Sequence, residues 1–296
     1  MQHEMISVSD EEMTETLTYW TDERMDQARP APLRVVPAGE VGQYREDTTP
    51  GGTSDAFAPS GEMSTGLSSS TPYKTDPNTR PFWNCGRIFF TDPQTGEDYW
   101  GSAAFTGHPN VIMTAAHNVV ENGVYFTKLL FYRSAWGMAI GTYGQKIAIK
   151  AKYTPGQWNS FGDERYDYAF LRAAEQSGAG WLGLDCRGCN LHADCTCVGY
   201  PQNYGASGKD MYAVEGCSRP AGVLIRMLGN PFNFGASGGP WITNFSSTYA
   251  PENNMAIAIT TQMDLGGVPA VYSPAFDSNT FGLFAQCRDY TGADPL

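Results

Sequence analysis

The segment Gly235-Ala-Ser-Gly-Gly-Pro240 and the positions of the four histidines, at 3, 108, 117 and 192, restrict this chain more than any other feature of its sequence. A serine hydroxyl is a poor nucleophile near neutral pH; it needs an adjacent base and backbone N–H groups aimed at the oxyanion that forms on the attacked carbonyl. Glycines on both sides of Ser237 permit the tight turn that supplies those N–H groups. Every histidine precedes Ser237, so an imidazole base has to come from the N-terminal side of the nucleophile.

Read as Gly235-x-Ser237-x-Gly239, the segment also fits a strand-to-helix nucleophile elbow, in which the acid and then the histidine follow the serine. The histidine positions remove that reading and leave the order His, Asp, Ser. Val111-Ile-Met-Thr-Ala-Ala-His117 places a histidine after an apolar run of strand character. Asp167, in Tyr166-Asp-Tyr-Ala-Phe-Leu171, opens an alternating apolar run and is the expected acid; Asp163 is its rival. His108 lies in a Gly-His-Pro turn and His192 in a cysteine-rich loop, which suits surface residues. The three candidates fall 50 residues (117 to 167) and then 70 residues (167 to 237) apart.

Thr114-Ala-Ala-His117, Asp167 with its apolar strand, and Gly235-x-Ser-Gly-Gly-Pro240 resemble the chymotrypsin-like serine peptidases, over about residues 81 to 290. They are most similar to the secreted bacterial branch that includes the glutamyl endopeptidases. The resemblance implies an all-β, chymotrypsin-like double β-barrel with a C-terminal helix and an N-terminal pro-segment. It implies a serine endopeptidase with His117, Asp167 and Ser237 as catalytic residues and the backbone N–H groups of Gly235 and Ser237 as the oxyanion hole. Pro231, Thr260, Thr261 and Gln262 are the expected substrate-binding residues, with a protein or peptide as substrate and no cofactor or metal in the chemistry. The alternative is a catalytically inactive relative serving as a binding or adhesion module, and a third reading is an all-β coat-like protein in which the motifs coincide by chance.

Departures from the family pattern carry information too. Ala236 stands where chymotrypsin has an Asp that pairs with a newly cut N-terminus, so activation by that ion pair is not available. If residues 1–80 inhibit, they should do so by covering the cleft or by another N-terminal contact. Asn118 and Trp100 occupy the positions of a familiar disulfide. Pro231 replaces the Asp of trypsin-like enzymes, and Ala258-Ile-Thr-Thr-Gln262 lacks a pocket histidine, which leaves the preferred side chain at the cleavage site open.

At 296 residues the chain suits two small domains behind a distinct N-terminal segment: residues 1–80, expected as a propeptide or a poorly ordered segment, then barrels at 81–176 and 177–296. Of the net charge of −12, residues 1–80 carry −8, from 14 acidic and 6 basic side chains. That balance gives no basic footprint for nucleic acid, and no apolar run of about 18 residues suggests a membrane span. A helix is expected around 18–25, whereas 30–71 is rich in Gly, Pro, Ser and Thr and is not expected to pack a core of its own. The start of the chain shows no signal peptide, yet the resemblance implies a secreted, monomeric enzyme. Strands are expected at 86–91 and 97–105 as a hairpin, then near 111–117, 124–133, 145–153 and 168–172. In the second half they are expected at 195–200, 211–215, 223–228, 239–243, 255–262 and 270–272, with a closing helix at 279–290.

Seven cysteines, at 85, 186, 189, 195, 197, 217 and 287, suggest up to three disulfides and one free thiol in a secreted protein. Cys186, Cys189, Cys195 and Cys197, with His192 between the pairs, form the competing zinc set, although the second pair is spaced more tightly than zinc-binding turns usually are.

Overall fold

A computed structural model describes residues 3–36, 69–135, 144–188, 191–264 and 266–292. Strand β1 (Cys85–Thr91) turns back through 92–97 into β2 (Asp98–Phe105), with Thr91 opposite Asp98, and β3 (Val111–Thr114) follows. With β4 (Thr127–Arg133), β5 (Gln145–Pro155) and β6 (Ala169–Ala173) they are hydrogen-bonded in the order β5-β4-β1-β2-β3-β6. A second β5–β6 ladder closes the ring into a six-stranded barrel. Alternate residues fill it: Ile88, Phe105, Ile112, Phe131, Ile149 and Leu171 belong to one buried cluster, as the two-residue period of strands requires.

The second half repeats the plan with β7 (His192–Gly199), β8 (Tyr212–Ala221), β9 (Leu224–Leu228), β10 (Pro240–Thr243), β11 (Met255–Ile259) and β12 (Ala270–Pro274). Their order is β11-β10-β7-β8-β9-β12. The sheet curls so that the Ile259 N–H donates to Ser273 Oγ at 3.0 Å and the Thr261 N–H to the Tyr272 carbonyl at 2.9 Å. The run expected at 255–262 is therefore broken at Thr260 and Thr261. Thr260 accepts from the Gly238 N–H while Thr261 turns to β12, and the ladder resumes at Gln262–Asp264. The C-terminal helix (Ser278–Arg288) starts at an Asp277–Thr280 capping box and buries Leu283 and Phe284 in the cluster that joins the two barrels.

The described leader packs against these barrels. His3–Ser7 adds antiparallel to the edge of β5. Helices α1 (Asp10–Tyr19) and α2 (Asp22–Gln27) are capped by Ser9 and Thr21. Between them Trp20 is buried against Phe89, and its indole N–H donates to the Lys128 carbonyl at 2.6 Å. Residues 30–36, part of the stretch not expected to pack a core of its own, join with Arg29 in short ladders: Arg29–Pro30 runs parallel to Tyr99–Trp100 and Arg34–Val35 parallel to Gln262–Met263. They need no core of their own because both barrels lend them an edge. The rest of the polar stretch, 37–68, lies outside the described residues.

The cysteine expectation requires correction. Among the described residues there is no disulfide: Cys85, Cys186, Cys195, Cys197, Cys217 and Cys287 are all free thiols, and Cys189 lies outside the description. Cys195 stands opposite Gly216, so Cys217 is one residue out of register with it across the β7–β8 ladder. No three His, Cys, Asp or Glu side chains converge as a metal site among the described residues.

Candidate active site

The apolar β3 ends at Thr114, and a single 3-10 turn (Ala116–Asn118) carries His117 to the junction of the barrels. Asp167 ends another 3-10 turn, Glu164–Tyr166, just before β6. Because β3 and β6 are ladder partners, with Thr114 opposite Ala169, the two turns emerge side by side. His117 Nδ1 lies 2.7 Å from Asp167 Oδ2, and the His117 backbone N–H donates to Asp167 Oδ1 at 3.0 Å. This bidentate hold fixes the ring and its tautomer, leaving Nε2 free of hydrogen bonds. Asp163, the rival acid, pairs with Arg165 instead.

The electrostatics follow from that geometry. Burial favours the neutral imidazole, but the charge and hydrogen bond of Asp167, with Glu121 further away, hold the His117 pKa above its ordinary 6.5. Burial raises the Glu121 carboxyl, and the charge of His117 opposes that rise.

Ser237 is fully buried in the turn before β10. Gly235 and Gly238 on either side have φ of +85° and +80°, a left-handed conformation that side-chain-bearing residues rarely adopt. A Cβ on Gly238 would lie 2.4 Å from the Ser102 carbonyl oxygen, so glycine is required for fit as well as for angle. The turn is tied to the first barrel by Ser102, whose N–H donates to the Ser237 carbonyl at 2.7 Å and whose hydroxyl donates to the Gly235 carbonyl at 2.8 Å. The Tyr200 N–H donates back to Ser102 Oγ at 3.0 Å. Asn118 Nδ2 also donates to the Ser237 carbonyl, at 3.0 Å. Asn118 and Ser102 were not singled out as site residues: one was noted only for a missing cysteine, and the other carries no motif.

The side chains of His117 and Ser237 do not hydrogen-bond; His117 Nε2 and Ser237 Oγ are both buried atoms without a partner. Such contacts often tighten only when substrate is bound.

A cavity of about 490 Å³ opens beside His117 and Asp167, with Trp158, Glu164 and Gln262 among its walls. Residues 29–36 cross it. The Ala31 N–H donates to the Trp100 carbonyl at 2.7 Å, and the Ala31 carbonyl accepts from the Gly235 N–H at 3.4 Å. Pro32, Leu33 and Arg34 line the cavity, and the Val36 N–H donates to the Met263 carbonyl at 2.9 Å. Of the expected substrate-binding residues, Gln262 lines the cavity. Thr260 is buried, with its hydroxyl against Trp241 Nε1 at 3.0 Å and Cys197 Sγ at 3.4 Å. Thr261 donates its hydroxyl to the Tyr272 carbonyl at 3.3 Å. Pro231 is outside the cavity lining, and its carbonyl accepts from Asn203 Nδ2 at 2.9 Å.

Two barrels with the His117–Asp167 pair and the Ser237 turn at their junction make this the chymotrypsin-like serine protease fold. Solved structures agree on the fold. The protease Anisep from Arthrobacter nicotinovorans is 21% identical, covers 74% of this chain and 100% of its own, and superposes with a TM-score of 0.61. A thermostable serine protease, AL20, from an extremophilic microorganism is 18% identical over 68% of this chain and 97% of its own, with a TM-score of 0.57. A Glu endopeptidase in complex with MPD is 16% identical over 74% and 97%, with a TM-score of 0.58. No family model matches the chain, and no curated protein does.

Proposed function

We propose that this protein is a serine endopeptidase that hydrolyses peptide bonds through His117, Asp167 and Ser237, with residues 1–80 as a pro-segment and 81–296 as the peptidase unit. The observation that carries the reading is the 2.7 Å bond between His117 Nδ1 and Asp167 Oδ2, which leaves Nε2 unpartnered at the junction with the Ser237 turn. In the reaction Ser237 Oγ bonds to the substrate carbonyl carbon while its proton passes to His117 Nε2. The imidazolium, stabilised by Asp167, gives that proton to the departing amine, and an acyl-enzyme remains for water to hydrolyse by the same transfers. The N–H groups of Gly235 and Ser237 hold the oxyanion.

In the chain described, the Gly235 N–H is taken by the Ala31 carbonyl and Ser237 is buried. Both facts support a covered cleft and assign residues 29–36 the task of covering it. The substrate is a protein or peptide, the chemistry uses no cofactor, and the enzyme acts as a monomer outside the cell. No helix among the described residues is long and apolar enough to cross a membrane. The competing reading, a silent binding module, draws on the unbonded His117 Nε2 and Ser237 Oγ.

Labelling of the full chain with a fluorophosphonate separates the two. Adduct on Ser237, lost in Ser237→Ala and reduced by on the order of 10⁴-fold in His117→Ala, supports the peptidase. Failure to label after residues 29–36 have been loosened by mutation supports the binding module.

A further inference from the structure

The cavity beside His117 has acidic walls. Asp92, Glu121, Glu164 and Asp167 line it, and apart from His117 the only basic lining side chain among the described residues is Arg34. Arg34 belongs to the crossing segment, not to either barrel, and its guanidinium pairs with Glu164. Exposed ion pairs are common and contribute little, but Glu164 is largely enclosed, with 17% of its side chain exposed. Two further features of the same walls suit a cation. Gln262 is a buried residue of the cavity wall whose Oε1, itself enclosed, has no hydrogen-bond partner. The Trp158 indole is pinned by its N–H donating to the Val120 carbonyl at 3.1 Å, leaving a fixed aromatic wall of the kind a guanidinium stacks on.

We propose that Glu164, with Gln262 and Trp158, forms a subsite for a cationic side chain, and that the intact chain fills it with its own Arg34. Resting on the peptidase reading, this makes Glu164 a specificity determinant: a substrate that displaces residues 29–36 presents Arg or Lys within a few residues of the bond to be cut. The subsite is separate from the position occupied by Pro231, where the sequence supports no basic preference. When the segment leaves, Glu164 gives up its Arg34 contact and the walls lose their one guanidinium, so a basic ligand restores what the segment supplied. The occupant is therefore a competitor as well as a template for the ligand.

The test uses the full-length chain carrying Arg34→Ala and two fluorescent alanine-based decapeptides that differ only in a central Arg or Glu. Binding is followed by anisotropy in the Ser237→Ala background, so cleavage plays no part. The Arg peptide should bind about fivefold tighter than the Glu peptide. Adding Glu164→Gln should abolish the difference, and Glu164→Lys should reverse it. With Arg34 in place, both peptides should bind more weakly. Equal binding of the two peptides, or a preference that survives Glu164→Gln, overturns the subsite; a thermal melt of each variant confirms that it is folded. Fluorophosphonate labelling of the same chains with Ser237 intact reads the peptidase assignment on its own. Labelling without charge selectivity retires the subsite alone, and charge selectivity without labelling retires only the peptidase.

Discussion

Asn118 donates its side-chain amide to the carbonyl of Ser237 across 3.0 Å, so the residue after the candidate base is tied directly to the candidate nucleophile. The same amide donates to Thr114 Oγ1 at 3.0 Å, and Thr114 Oγ1 donates in turn to the Ser102 carbonyl at 2.9 Å. At Asn118, one of the two first-barrel positions where the family resemblance places a disulfide, a buried hydrogen-bond network instead ties the first barrel to the Ser237 turn. Replacing Asn118 by Leu strands the Ser237 carbonyl on one donor and leaves Thr114 without the amide. The expected loss is about 1–3 kcal/mol of stability, seen as a lower urea midpoint at unchanged slope, together with slower labelling of Ser237. An unchanged midpoint would mean that the network contributes nothing.

Gly238 has φ +80°, and a Cβ there would sit 2.2 Å from Thr114 Oγ1 and 2.4 Å from the Ser102 carbonyl oxygen. Backbone cannot yield as a flexible side chain can. Gly238→Ala should cost more than about 2 kcal/mol, measured by thermal melting, while Gly96→Ala, at φ +71° in open space, should cost less.

The pH dependence follows from His117. Its folded pKa is raised above 6.5 because Asp167 and Glu121 outweigh burial. Protonated His117 therefore contributes stability that is fully present below pH 6.5 and is lost as pH rises through the raised value. Catalysis needs the neutral ring, so labelling of Ser237 should rise over that same window. In Asp167→Asn burial acts with much less opposition. The inflection should move downward and the rate should fall by about 10⁴-fold, both read from labelling rate against pH. An inflection that stays in place would disconnect His117 from the reaction.

Val36 anchors the end of the crossing segment, buried with Leu224, Ala270 and Tyr272. Val36→Asp puts a carboxylate into that cluster and should loosen residues 29–36 in preference to the barrels. Ser237 should then label at least about tenfold faster, which corresponds to about 1.4 kcal/mol less cover. A slower or equal rate in a folded variant would show that this segment does not limit access.

The thiols give a check independent of catalysis. Cys85, Cys195, Cys197 and Cys287 are buried, and burial pushes each thiol upward, Cys197 to about 12. Ellman's reagent at pH 8 should miss these four in the native protein and reach them after denaturation without reductant. A requirement for reductant would show disulfides in the purified protein.

The linear order of His117, Asp167 and Ser237 was legible before any fold was known, because the histidine positions exclude the competing arrangement. So were most strands of both barrels, since short apolar runs bounded by turn residues, such as 86–91, and alternating ones, such as 145–153, report local burial. Locally unremarkable residues were not legible. Ser102 carries no motif, and its part in holding the Ser237 turn exists only because β2 passes beneath it. Thr260 and Thr261 lie in an ordinary strand sequence that does not say which way each hydroxyl points; the break between β11 and the 262–264 ladder turns both inward. Residues 29–36 look like linker because their hydrogen-bonding partners, Trp100, Gly235 and Met263, are far away along the chain. Composition, charge and the order of chemical groups are set by the sequence alone. Which groups meet, and what covers them, is decided by contacts across both barrels, because hydrogen bonds and burial depend on proximity in space.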